Sequence, residues 1–157
     1  MSRTGAASAA AVLATFGLIA AVGSAPADEG CSNATLRGGY GLEASGTIAS
    51  GPLAGPTALV GVLTYDGFGQ VSGTITQRVT TATGPTTLSK IPLAGTYNVN
   101  ADCTAEDTLF NLANGTSSVH EYSIVEKGRR FSILNVTVGP TVVLGTGTRQ
   151  LGGAGRD

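Results

Sequence analysis

The stretch SSVHEYSIVEKGRRFSILNV, residues 117–136, reads as two β-strands folded about Lys127-Gly128. Apolar and polar side chains alternate on either side of that dipeptide, the pattern of strands buried on one face only. A two-residue connection can join only antiparallel neighbours. With Lys127-Gly128 as the turn, Ile124 stands opposite Phe131, Tyr122 opposite Ile133 and His120 opposite Asn135. Carried back through Asn114-Gly115, the register sets Leu109 against His120 and Asp107 against Tyr122. Carried forward through Gly139-Pro140, it sets Asn135 against Leu144 and Ile133 against Thr146. One face then holds Leu109, Tyr122, Ile124, Phe131, Ile133, Val142 and Leu144, with Asp107, His120, Asn135, Thr146 and Thr148 among them. It is the bulkier face and is expected to be the interior. A bulge at any of these turns would reverse the strands beyond it, since a one-residue slip moves every side chain to the other face.

The same alternation runs through the chain from residue 37, with turn signals every 10 to 15 residues and no helical period. Strands are expected at 37–49, 57–65, 70–80, 87–99, 103–112, 117–126, 129–138 and 141–150. Gly-Pro-Thr occurs at 55–57, 84–86 and 139–141, each time before a β-rich run, and Asp66-Gly67-Phe68-Gly69 makes a further tight hairpin. The fold class is therefore all-β: about eight antiparallel strands in an up-and-down meander. Such a sheet must bury one face and hide two edges, and closure into a barrel does both. A two-sheet sandwich is the alternative, which the repeated hairpins disfavour. Glycines inside strands (Gly46, Gly61, Gly73, Gly95, Gly145, Gly147) suit a sharply coiled small sheet.

Residues 1–27 read as a secretory signal peptide: Arg3, a short Ala-rich apolar run to Val22, and an A-x-A site at Ala25-Pro26-Ala27. A membrane span needs about 20 strongly apolar residues, more than this run supplies, so no span is expected after cleavage. The domain is expected over 28–151, with 152–157 a disordered tail. Export would place the chain outside the cytoplasm, secreted or periplasmic, where its only two cysteines, Cys31 and Cys103, should pair.

Nine basic against ten acidic residues leave a net charge of −1, without the basic footprint that nucleic-acid binding requires. One histidine and two cysteines exclude the common zinc frameworks, and no cofactor motif is present. Gly145-Thr-Gly-Thr-Arg149 lacks the third glycine and the helix of a dinucleotide loop.

Three segments carry a resemblance: Cys31-Ser-Asn-Ala-Thr-Leu-Arg-Gly-Gly-Tyr-Gly-Leu42, Leu63-Thr-Tyr-Asp-Gly-Phe-Gly-Gln-Val-Ser-Gly-Thr74 and Gly95-Thr-Tyr-Asn-Val-Asn-Ala-Asp-Cys-Thr104. In their order the chain resembles a group of uncharacterised secreted bacterial small β-barrel proteins. In architecture alone it is similar to the allene-oxide-cyclase and calycin style of barrel. The resemblance implies a barrel and export; it maps no catalytic motif onto this chain.

An eight-stranded barrel has room for packed side chains or for one small ligand. Asp107, His120, Tyr122 and Asn135 on an apolar inner face have the composition of a ligand site, with Phe131, Ile133 and Leu144 as its apolar walls. The reading adopted is a secreted barrel binding a small, mostly apolar molecule. Two others remain open. A cofactor-free isomerase or cyclase would draw an acid/base pair from Asp107, His120 and Tyr122. A structural or surface-interaction protein would have a filled lumen, its polar groups merely satisfying one another. Oligomeric state is not legible.

Overall fold

The computed structural model describes residues 30–137, 139 and 141–151. The signal peptide expected at 1–27 and the tail expected at 152–157 lie outside the described residues. Eight strands run β1 Arg37–Ile48, β2 Gly55–Asp66, β3 Gln70–Thr81, β4 Gly84–Val99, β5 Thr104–Asn111, β6 Ser117–Val125, β7 Arg130–Asn135 and β8 Thr141–Arg149. Each pairs antiparallel with the next, and β8 pairs with β1, so the sheet is a closed meander barrel without free edges. The only helical pieces among the described residues are two short 3-10 turns, Asn33–Thr35 and Glu126–Gly128. No helix among them is long and apolar enough to cross a membrane.

The barrel is a cup with one packed end. Tyr40, Leu63, Tyr65, Val71, Tyr97, Val99, Tyr122, Ile124 and Phe131 fill that end and are nearly inaccessible. Their rings meet edge to face: Tyr40 on Tyr65 at 5.4 Å, Tyr65 on Tyr97 at 5.0 Å and Tyr122 on Phe131 at 4.9 Å between centroids, the arrangement that ring quadrupoles favour. The segment before β1 closes the base. Leu36 is completely buried, Asn33 Oδ1 accepts the Val99 N–H at 2.7 Å, and Tyr97 donates its hydroxyl to the carbonyls of Leu36 and Asn33. The Cys31–Cys103 disulfide, with Cα atoms 4.9 Å apart, ties this plug to the β4–β5 turn. Bridging residues 72 apart restricts the unfolded chain by about 4 kcal/mol in the entropy model.

Glycines let the strands coil this tightly. A Cβ on Gly73 would strike the Val62 carbonyl, and one on Gly95 the Thr108 carbonyl. Gly147 serves packing instead: the Phe131 ring occupies the place its side chain would take.

Two expected registers change. Asn111 and Thr116 close the β5–β6 hairpin around a four-residue loop, the Asn111 N–H donating to the Thr116 carbonyl at 2.8 Å. Asp107 therefore faces His120, not Tyr122, which instead faces Ala105. This slip is by two residues and leaves every side chain on its expected face. The second slip is by one. Five residues separate β7 from β8, not the two of a Gly139-Pro140 turn, and Ile133 pairs with Gly145. β8 is thereby inverted: Gly145 and Gly147 face inward, whereas Val142 and Leu144 are 65% and 60% exposed on the outside.

Candidate functional site

Above the aromatic base the lumen opens into a cavity of about 350 Å³. Its walls are apolar: Leu42 from β1, Leu59 from β2, Ile75 from β3, Leu93 from β4, Leu109 from β5 and Ile133 from β7. Gln77, Asn111, Thr116, Ser117 and Thr141 give its mouth a polar rim. Ser118, His120, Asn135 and Thr137 also line it, with His120 and Asn135 side by side through the β6–β7 register.

A chain of hydrogen bonds runs beneath them. Tyr65 and Tyr122 share a hydroxyl–hydroxyl bond of 3.2 Å, and Tyr122 donates to Asp107 Oδ2 in a short contact. Asp107 Oδ1 lies 2.6 Å from His120 Nδ1, and His120 Nε2 lies 3.3 Å from Asn135 Nδ2. Asn135 Oδ1 accepts the Thr137 N–H at 3.2 Å, which turns the amide nitrogen toward the imidazole. Asp107 is fully buried at its side chain and His120 is 14% exposed there. Burial, reinforced by Tyr65 and Asp107 nearby, pushes the Tyr122 hydroxyl well above the ordinary tyrosine range, and burial likewise raises Tyr65. Both phenols stay protonated and act as donors. The Nδ1–H of His120 donates to the Asp107 carboxylate, and the Asn135 amide nitrogen beside Nε2 calls for the tautomer with a lone pair on that atom. Every buried side-chain polar atom among the described residues has a partner.

The structure sorts the expected site residues into three groups. His120, Asn135 and Ile133 line the cavity. Asp107, Tyr122 and Phe131 lie under it, packed or hydrogen-bonded in the base. Leu144 is on the outer surface, because β8 is inverted. The opposite wall, Leu42, Leu59, Ile75 and Leu93, was missed. The Asp66–Gly69 hairpin would have revealed part of it, by setting the Leu59, Leu63 and Tyr65 alternation against Val71, Gly73 and Ile75.

No family model matches the chain, and no curated protein does. Solved structures match it at low identity. A redesigned beta barrel, mFAP1, bound to DFHBI, is 15% identical with a TM-score of 0.50, the match covering 74% of this chain and 97% of that one. A second redesigned beta barrel is 12% identical, also with a TM-score of 0.50, over 76% of this chain and 95% of its own. The likeness is one of fold alone: a small closed antiparallel barrel.

Proposed function

We propose that the protein is an exported barrel that holds a small, mostly apolar molecule in the open half of its lumen. The observation that carries this reading is the cavity itself, with aliphatic walls, a polar rim and the adjoining side chains of His120 and Asn135. Its size falls at the lower end for small-molecule sites, and a few convergent polar groups in apolar surroundings are their usual lining. Supporting it, the similar barrel mFAP1 is bound to DFHBI. Export, as secreted or periplasmic protein after removal of residues 1–27, is supported by the Cys31–Cys103 bridge, since disulfides persist in oxidising compartments.

A direct test uses 8-anilinonaphthalene-1-sulfonate with protein purified after export. Saturable binding at one site is expected, together with its loss in Leu93→Trp, which fills the cavity from its wall. Absence of saturable binding to the unaltered protein would exclude the reading. One observation favours a second reading, a cofactor-free isomerase or cyclase. Asp107 holds His120 by Nδ1 and leaves Nε2 beside Asn135, both side chains lining the cavity, an arrangement that suits a general base. In that case His120→Ala ends turnover and spares binding.

A further inference from the structure

Resting on the lumen-binding reading, we propose the ligand's chemical class: a compact apolar molecule carrying one acidic hydroxyl, a phenol or an enol, at its buried end. The orientation of His120 is held from one side and that of Asn135 from the other. Asp107 Oδ1 accepts a hydrogen bond from the imidazole Nδ1–H at 2.6 Å, and the Asn135 amide nitrogen beside Nε2 calls for the tautomer with a lone pair there. The Thr137 N–H on Asn135 Oδ1 turns the amide N–H₂ toward that lone pair. Thr137 is itself anchored, its Oγ1 accepting the Val119 N–H at 2.7 Å. The acceptor and the donor lie only 3.3 Å apart, the long end for such a bond, and both atoms belong to side chains that line the cavity.

An oxygen that displaces this direct contact and sits at about 2.8 Å from both atoms must donate to Nε2 and accept from Nδ2. A hydroxyl does both at once. A ketone or ether oxygen can only accept, and would set its lone pairs against that of Nε2. An ammonium can only donate, and would bring an unpaired charge among Leu42, Leu59, Ile75, Leu109 and Ile133. A carboxylate meets the Nε2 lone pair with another. Among hydroxyls, phenols and enols are stronger donors to nitrogen than alkyl alcohols, and their planar apolar bodies suit the aliphatic walls.

The test compares 2-naphthol with 2-methoxynaphthalene on protein purified after export, by calorimetry or fluorescence. The methyl ether is the more apolar, so burial alone would favour it. The expected result is that 2-naphthol binds more tightly by about tenfold, equivalent to about 1.4 kcal/mol. His120→Phe and Asn135→Ala should each bring the ratio near unity. Asn135 is only half-buried, so its variant serves if His120→Phe fails to fold. Equal binding of both probes to the unaltered protein would overturn the hydroxyl inference while leaving the lumen site standing. So would a preference that survives both substitutions. Binding of neither probe would overturn the lumen reading as well.

Discussion

Replacing Tyr122 with phenylalanine removes one hydroxyl from the middle of the buried chain and almost no apolar contact. Two bonds go with it. Asp107 Oδ2 loses the Tyr122 donor, and the Tyr65 hydroxyl loses its partner. A bond to a charged group contributes about 1.5–3 kcal/mol and a neutral one about 1 kcal/mol, so Tyr122→Phe should destabilise the barrel by about 3 kcal/mol. Domains of this size shift by about 4 °C per kcal/mol, which places the change in melting temperature at about 12 °C. Urea unfolding followed by circular dichroism should show a lower midpoint with an unchanged slope. The coupling between Tyr122→Phe and Asp107→Leu in a double-mutant cycle should exceed about 1 kcal/mol, since the two residues share a network. Affinity for a lumen probe should change little, because Tyr122 lies beneath the cavity and not on its wall. A stability loss below about 1 kcal/mol would show that Asp107 does not depend on this hydroxyl.

Ile133→Ala, at a site 5% exposed inside the lumen, should cost about 3 kcal/mol; Leu144→Ser, on the outer face, should stay within about 0.5 kcal/mol. The reverse order in chemical denaturation would show that β8 is not inverted. Alkali should weaken the fold through Tyr65 and Tyr122, whose hydroxyls burial pushes upward. Their stabilising effect is complete below the unfolded tyrosine value of about 10 and is lost as pH rises beyond it, by about 1.4 kcal/mol per pH unit for each residue. A urea midpoint that stays flat between about pH 9 and about pH 11 would contradict this.

His120 and Asn135 were legible as neighbours because the β6–β7 hairpin is local: the alternation from Val119 to Leu134 and a compact turn settle their pairing without help from the rest of the chain. The actual turn is longer, with four residues, 126–129, between the last paired positions Val125 and Arg130. It is centred on the same dipeptide, so the register is unaffected. At β5–β6 the loop is centred one residue earlier than Asn114-Gly115, and the resulting two-residue slip preserved the face of Asp107 while changing its partner. That partner decides the chemistry, since it sets Asp107 behind His120.

Alternation with a period of two, the turn residues and the cysteine pair determine an all-β meander with one bridge, because these are properties of neighbouring residues and of composition. The facing of β8 is not such a property. The closing strand must pair with β7 and β1 at once, matching Ile133 with Gly145 on one side and Ala44 with the same Gly145 on the other. Phe131 needs the space above Gly147, so the glycines turn inward and Leu144 outward, against what side-chain bulk alone suggests. The division of the lumen into a packed base and an open cup is likewise tertiary. It depends on four tyrosines from β1, β2, β4 and β6, far apart in the chain, converging at one end beneath a plug held by Cys31–Cys103.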